Sequence, residues 1–152
     1  MRKPLNNILI GAAAGAAATW LMDQITTKMY EAQPQEITDR ENAVRGDKTA
    51  YEIASEKLFH TDQFGTAIHW ALGISAGVLY GALRNRTPFR YGSGVAFGVA
   101  FWLLMDELAN TALGLTPPPK QFPWQTHARG LAGHAVLGAA LELPYDAMDV
   151  GH

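Results

Sequence analysis

The chain alternates between apolar stretches and one strongly polar stretch. Its charged residues concentrate between Lys28 and Asp62. The stretches almost free of charge are residues 8–22, 64–83, 92–105 and 128–141. Because a helix needs about 20 mostly apolar residues to cross a bilayer, we predict a single all-α membrane domain, residues 1–152, with four transmembrane helices in a compact bundle. The predicted spans are residues 5–30, 63–83, 91–113 and 126–148, and residues 31–62 form a polar helical loop on the outer side.

The N-terminal segment begins with Arg2 and Lys3, ahead of a run rich in alanine and glycine. Such a start resembles a signal peptide, but we expect it to be retained as the first membrane helix. Short connections rich in Lys and Arg usually remain in the cytoplasm. Together with Arg84, Arg86 and Arg90 in the second connection, this start predicts that both termini are cytoplasmic.

Glycine recurs at every fourth position in three of the predicted spans. This small-xxx-small pattern lets helix backbones approach closely inside a membrane. Such stripes on three helices exceed the obvious needs of one small bundle, so some could mediate self-association or docking into a larger membrane complex as an accessory subunit. The predicted packing glycines are Gly11, Gly15, Gly73, Gly77, Gly81, Gly94 and Gly98.

The polar loop carries local helix signals of its own. Thr38 with Glu41, and Thr49 with Glu52, have the spacing of a capping box, in which a Thr and a Glu three residues later satisfy each other's backbone amides. We therefore predict that each threonine begins a short helix. The first of these helices is expected to end at Gly46, because glycine tolerates the left-handed backbone that often follows a helix.

The second short helix of the loop has an apolar face. Tyr51, Ala54, Leu58 and Phe59 recur at helical spacing. Such a face suits either a lid packed on the end of the bundle or a helix at the membrane interface. Both alternatives are consistent with the sequence.

Composition excludes several classes of function. The chain has no cysteine, which rules out disulfides, thiolate catalysis and cysteine-based zinc sites. The formal net charge of −2 does not favour nucleic acid as a partner. No phosphate-binding loop, dinucleotide fingerprint or nucleophile elbow is present, so we expect a non-enzymatic membrane protein whose main partner is the lipid bilayer.

The predicted topology gives each ionisable residue a depth in the membrane, and several of these residues then lie at a similar depth. Helices one and three then rise from the cytoplasm and helices two and four descend. At about 1.5 Å per residue, five acidic or histidine side chains fall in the outer half of a hydrocarbon core about 30 Å thick. They are Asp23, His69, Asp106, Glu107 and His134. Glu142 and Asp146 lie further along helix four, toward the cytoplasm, and His127 lies at its outer mouth.

Three interpretations of this buried polar cluster remain open. Its members could hydrogen-bond to each other and hold the bundle together. They could instead handle protons or ions, since imidazole titrates near neutrality, with a path from His134 to Glu142 and Asp146. Alternatively, His69, His134 and Asp106 could bind zinc, iron or manganese, or the two histidines a haem. The Glu-x-x-His pairs usual in metal-binding bundles are absent, so we expect no cofactor.

Residues 69–142 resemble the YagU family of small bacterial inner-membrane proteins. The resemblance rests on the helix that carries His69 and ends near Gly77 and Tyr80. It also rests on an ordered series of short motifs, namely Gly114-Leu115-Thr116-Pro117-Pro118, Pro123-Trp124, Gly133-His134 and Glu142. A member of that family carries His where Asp106 stands and lacks the charged 31–62 loop.

The resemblance implies a polytopic protein of the bacterial inner membrane, with a suggested role in acid-stress survival. This agrees with the interpretation in which the His/carboxylate cluster serves both bundle packing and a response to protons or ions. A metal- or haem-binding membrane protein that uses His69, His134 and Asp106 remains the alternative.

Overall fold

The computed structural model describes residues 4–84 and 93–149, and the chain is helical without strands in both ranges, which confirms the predicted all-α class. Arg2, Lys3, Arg86 and Arg90, on which the predicted orientation depends, lie outside the described residues. The first four helices are α1 (Pro4–Ala32), α2 (Gln35–Arg45), α3 (Ala50–Phe59) and α4 (Gly65–Leu83). They are followed by α5 (Ser93–Trp102), a π-helix (Leu103–Ala109), α6 (Asn110–Ala112), a short 3-10 helix (Pro119–Gln121) and α7 (Trp124–Asp149).

Three of the helical stretches are long and apolar enough to cross a membrane. They are Leu5–Ala32, Gly65–Leu83 and Ser93–Ala112, the last being α5, the π-helix and α6 in continuous succession. Helix α7 has the length of a span but is not among them. It is more polar because it carries His127, Arg129, His134, Glu142 and Asp146.

The long helices pack antiparallel to their neighbours. Helix α1 lies between α4 and α7, and α7 in turn packs against α5. Near the start of α1, Asn7 lies against Gly81 at the end of α4. Near the end of α1, Asp23 contacts His69 at the start of α4. The bundle therefore has two distinct ends: the loop end, which carries residues 33–64 and 113–123, and the opposite end, near Asn7 and Gly81.

The predicted packing glycines lie where helix backbones approach most closely. A Cβ added at Gly11 would clash with the Gly77 carbonyl, and one at Gly15 would come within 2.7 Å of the Gly73 carbonyl oxygen. Gly81 faces the backbone of Asn7 in the same interface. Gly94 and Gly98 make equivalent contacts between α5 and α7, against Gly138 and His134. The glycine stripes are thus already used within one chain, and docking to another protein would require a different surface.

The apolar core lies between α1, α4 and α7. It is formed by small residues of α1 and by larger side chains of the other two helices, among which Tyr80, Leu137, Leu141 and Tyr145 are almost completely buried. The Tyr145 hydroxyl donates a 2.7 Å hydrogen bond to the Asn7 carbonyl oxygen. This bond ties the last turns of α7 to the first turns of α1.

One of the two predicted capping boxes forms. The Thr49 hydroxyl accepts a hydrogen bond from the Glu52 amide, and the Glu52 carboxylate accepts one from the Thr49 amide. The prediction that Thr38 begins a helix is wrong, because α2 starts at Gln35 with Pro34 as its N-cap. The backbone amide of Thr38 donates to the Pro34 carbonyl, so Thr38 already lies within the first turn. The predicted end of this helix at Gly46 is confirmed, with a positive φ of 74°.

Helix α3 acts as a lid at its start and is exposed at its end. The Tyr51 ring packs against the His69 ring with 4.8 Å between the centroids. Leu58 and Phe59, predicted on the same face, are instead 67% and 54% exposed. The Lys57 ammonium donates hydrogen bonds to the carbonyl oxygens of Leu113 and Gly114, which fastens the end of α3 to the loop after α6. The predicted lid packing is therefore confirmed at Tyr51, and a membrane-interface role for Leu58 and Phe59 stays a prediction.

Candidate functional site

His69 and Asp23 form an ion pair between α4 and α1 near the loop end. The Nε2 atom of His69 lies 2.9 Å from one carboxylate oxygen of Asp23 and 3.2 Å from the other. Both side chains are largely but not fully buried. Tyr51 covers the imidazole from α3. Burial, together with the negative charges of Asp106 and Asp23, raises the pKa of the Tyr51 hydroxyl, so this lid residue stays uncharged.

Asp106 and Glu107 lie on a widened helical turn. From Leu103 to Ala109 the third long helix is a π-helix, and the Asn110 amide donates to the Met105 carbonyl five residues earlier. Consecutive side chains of an α-helix point about 100° apart, and the wider π turn reduces this angle. Asp106 and Glu107 can therefore both approach histidines of α7. Single π turns are common at functional sites, and no pattern in the sequence predicted this one.

His127 connects the π-helix to the proline-rich loop. Its Nδ1 atom lies 2.7 Å from the Glu107 carboxylate, and its Nε2 atom lies 3.0 Å from the Pro119 carbonyl oxygen. A carbonyl oxygen and an ionised carboxylate both accept hydrogen bonds, so each ring nitrogen that carries a hydrogen can donate one of these bonds. The sequence placed His127 at the outer mouth but did not identify Glu107 as its partner.

His134 lies deeper in the bundle, on α7. Its Nδ1 atom is 3.0 Å from the Gly130 carbonyl oxygen one turn earlier. Because that oxygen is an acceptor, Nδ1 carries the hydrogen of this bond. Asp106 approaches the same Nδ1 at 3.8 Å, beyond hydrogen-bonding distance. The ring is buried beside Phe101, with 6.1 Å between centroids.

A small cavity joins these groups. We call it the His cavity. Its volume is about 20 Å³, and its lining includes His69, Asp106, His134, Tyr51 and Asn110. This volume accommodates about one water molecule. Asp23 reaches the cavity through its ion pair with His69, so each of the four long helices contributes an ionisable side chain to the group.

Glu142 belongs to a second polar cluster at the opposite end. Its carboxylate accepts a 3.1 Å hydrogen bond from the Gly94 amide and forms an ion pair with Arg84 at 3.4 Å. Arg84 also pairs with Asp146 at 2.8 Å. About 12 Å of helix separates His134 from Glu142. Arg84 holds the carboxylates at the far end, so the proton path expected along α7 would need water to bridge the gap between His134 and Glu142.

A larger pocket opens at the loop end. We call it the loop pocket. Its volume is about 290 Å³, and it lies between the starts of α3 and α7, the π-helix and the proline-rich loop. Glu107, His127 and Trp102 line it. Its lining shares Tyr51, Asp106 and Asn110 with the His cavity. These shared residues form the partition between the two spaces.

A buried ion pair fixes α2 against α7. The Arg129 guanidinium donates a 2.5 Å hydrogen bond to Glu41, which is completely buried and also contacts Arg45. Arg129 donates a second hydrogen bond to Gln33 and lies 5.0 Å from the centre of the Tyr30 ring. The proximity of Glu41 and Arg45 follows from their i, i+4 spacing, but no local signal in the sequence pointed to Arg129.

The three predicted metal ligands line one cavity but do not form a metal site. Within residues 4–84 and 93–149, no group of three or more His, Asp or Glu side chains is arranged to hold a metal ion. The Nε2 atom of His69 already contacts the Asp23 carboxylate. The His cavity, at about 20 Å³, is also far too small for a haem between His69 and His134.

Comparison of the chain with protein-family models, with curated proteins and with solved structures found no match. The candidate site is therefore interpreted from its own geometry.

Proposed function

We propose that this chain is a bacterial inner-membrane protein of the YagU-like type with four spans, in which α7 is the fourth. Its 26 residues give a length of about 39 Å, enough to cross a hydrocarbon core of about 30 Å. Polar side chains inside a span usually face the bundle and pair there. His127, Arg129, Glu142 and Asp146 are all paired in this way.

The outward surface of the bundle also supports a lipid environment. Large apolar side chains are exposed on each long helix, whereas water-soluble monomers rarely expose large apolar patches. Examples are Leu9, Leu79, Leu104 and Leu143, which are all exposed.

We further propose that the chain is non-enzymatic and that the group around the His cavity responds to protons. The observation that carries this proposal is the convergence of Asp23, His69, Asp106 and His134 from the four long helices on a space the size of one water molecule. Imidazole changes charge between pH 5 and 8. In surroundings of low dielectric constant, each such change strongly alters the attraction between a histidine and a nearby carboxylate.

Proton flux across liposomes tests this function. The protein is reconstituted with a pH-sensitive dye trapped inside, and an acid step is applied outside. We expect the wild type to acidify the interior faster than empty liposomes do, and Asp106→Asn to remove this difference. Asp39→Asn, an exposed carboxylate on α2, is the matched control. Equal rates for wild type, Asp106→Asn and empty liposomes would contradict proton conduction and leave the cluster with a packing role.

The proposed topology has a separate test, for which the cysteine-free chain is well suited. A single cysteine at Asp39, on α2, should react with a membrane-impermeant maleimide added to intact spheroplasts if the loop end is outside. A cysteine at Arg86, in the second connection, should react only after lysis. Reaction of both positions before lysis would contradict four spans with cytoplasmic termini.

A further inference from the structure

Two polar side chains of the loop pocket have no hydrogen-bond partner within residues 4–84 and 93–149. Among the described residues, no group donates a hydrogen bond to the Asp106 carboxylate, and its ion pair with His134 is 3.8 Å long. The buried hydroxyl of Thr126 is likewise unpartnered in that part of the chain. Both residues line the pocket. Buried polar atoms are nearly always hydrogen-bonded, so the Thr126 hydroxyl is an exception among the described residues. The Asp106 side chain is 31% exposed, which leaves its carboxylate open to a ligand in the pocket.

The charges around the pocket favour a cation. Arg45 lines the pocket, but its guanidinium is paired with Glu41. The Glu107 carboxylate is paired with His127. Asp106 is therefore the carboxylate of the lining without a hydrogen-bonded counterion, since the Nδ1 atom of His134 lies 3.8 Å away. A positively charged ligand would supply one, and a negatively charged ligand would be repelled.

The walls of the pocket suit an organic body rather than a bare ion. Trp102, Tyr51 and Phe122 present aromatic rings, and Pro117 and Pro119 add apolar surface. Aromatic faces attract ammonium groups. Small-molecule sites are typically apolar clefts of about 300 Å³ or more with a few converging polar groups, and the loop pocket, at about 290 Å³, is close to that size.

We propose that the loop pocket binds a small organic cation, such as a protonated amine on a compact apolar body. The ammonium group donates to the Asp106 carboxylate, a polar atom of the ligand bonds to Thr126, and the apolar body packs against Trp102 and Phe122. This proposal goes beyond proton handling and does not depend on it, because it requires only the ionised Asp106 and the shape of the pocket.

Fluorine NMR with a charge-matched series of probes tests the proposal. The cation is 4-fluorobenzylammonium, the neutral analogue is 4-fluorobenzyl alcohol and the anion is 4-fluorophenylacetate. Each probe is titrated with the full chain purified in mild detergent, and empty micelles measure partitioning into the detergent. We expect the cation to bind about tenfold more tightly than the alcohol, since the ammonium adds the attraction of opposite charges to its hydrogen bond with Asp106, and we expect the anion not to bind.

Substitutions locate the binding. Asp106→Asn should weaken binding of the cation by about tenfold, whereas Asp39→Asn should leave it unchanged. Trp102→Leu provides a second variant in case Asp106→Asn does not fold, and it should also weaken binding. The proposal would be overturned if the alcohol bound as tightly as the cation, or if empty micelles accounted for the cation signal. It would also be overturned if a folded Asp106→Asn or Trp102→Leu protein bound the cation as tightly as the wild type does. None of these results depends on proton flux, so the two proposals can fail separately.

Discussion

Arg129 of α7 and Glu41 of α2 form a buried ion pair across 88 positions of sequence. The carboxylate is completely buried, and Arg45 from its own helix completes its charge compensation. Removing one partner of such a pair leaves a buried charge without compensation, which typically costs about 3–5 kcal/mol. This contact connects the loop that covers the candidate site to the helix that carries His127 and His134.

Arg129→Met should therefore destabilise the protein strongly, toward the lower end of that range because Arg45 remains. Thermal unfolding in detergent measures the effect. The double variant Glu41→Gln with Arg129→Met should recover much of the loss, because it removes both charges. A double variant no more stable than Arg129→Met alone would show that the loss came from packing of the arginine and not from the stranded carboxylate.

The same carboxylate makes stability depend on pH. Burial alone would raise the pKa of Glu41, but the hydrogen bond and charge of Arg129 and the charge of Arg45 hold it below the ordinary value of 4.5. A depressed pKa means that ionised Glu41 stabilises the folded state above about pH 4.5, and that this contribution is lost as the pH falls through the folded-state pKa. We expect the melting temperature of the wild type to fall below pH 4.5 more steeply than that of Glu41→Gln. If the melting temperatures of the wild type and Glu41→Gln fell in parallel as the pH was lowered, the lowered pKa of Glu41 would not be the cause.

The glycine interface between α1 and α4 should tolerate no added side chain at its centre. A methyl group at Gly77 would clash with the Gly11 carbonyl, and separating two rigid backbones is more costly than moving a side chain. We expect Gly77→Ala to destabilise the bundle by about 1–3 kcal/mol, measured as a loss of melting temperature. Ala71→Val also enlarges a residue of α4 but on its exposed side, and it should change the melting temperature little. A melting temperature that is unchanged or higher in Gly77→Ala would contradict close packing at this position, because alanine is the better helix former.

Features set by local spacing were the ones that could be predicted from the sequence. The box at Thr49 depends on residues three apart, and Gly73 and Gly77 mark a face by their period of four. Thr38 had the same local spacing as Thr49, but Pro34 was a better start for α2 because its fixed φ suits the entry to a helix.

The partners within the site could not be predicted, because they depend on how distant segments meet. Depth along the helices brought Asp23, His69, Asp106 and His134 to one level but did not pair them. The π-helix that turns Asp106 and Glu107 toward α7 has no marker in sequence periodicity.

Alanine substitutions at Thr38 and Thr49 test whether α2 starts at Gln35 rather than at Thr38. Thr49→Ala removes a side-chain cap at the start of α3 and should cost about 1 kcal/mol. Thr38 lies inside α2, and Thr38→Ala removes only the hydrogen bond that its hydroxyl accepts from the Gln33 side chain. Alanine is also the better helix former at such a position. We expect the melting temperature to fall clearly for Thr49→Ala and to change little for Thr38→Ala. Equal losses would restore Thr38 as a cap and contradict the observed start at Gln35.

Tyr51 should control access to the His cavity. Its ring covers His69, and its side chain lines both the cavity and the loop pocket. We expect Tyr51→Ala to open the partition, while Tyr51→Phe keeps the ring and leaves it closed. The measurement is the rate at which diethyl pyrocarbonate modifies His69, located by peptide mass spectrometry.

His60 lies on the surface at the end of α3 and serves as the internal reference for this reaction. Its rate should be the same in all three proteins, since α3 remains anchored through Lys57. The rate at His69 should rise severalfold in Tyr51→Ala alone. A rise in Tyr51→Phe as well would assign the barrier to the hydroxyl rather than to the ring. No rise in either variant would mean that reagent reaches His69 by a path that Tyr51 does not block, and the partition between the two spaces would then lie with Asp106 and Asn110.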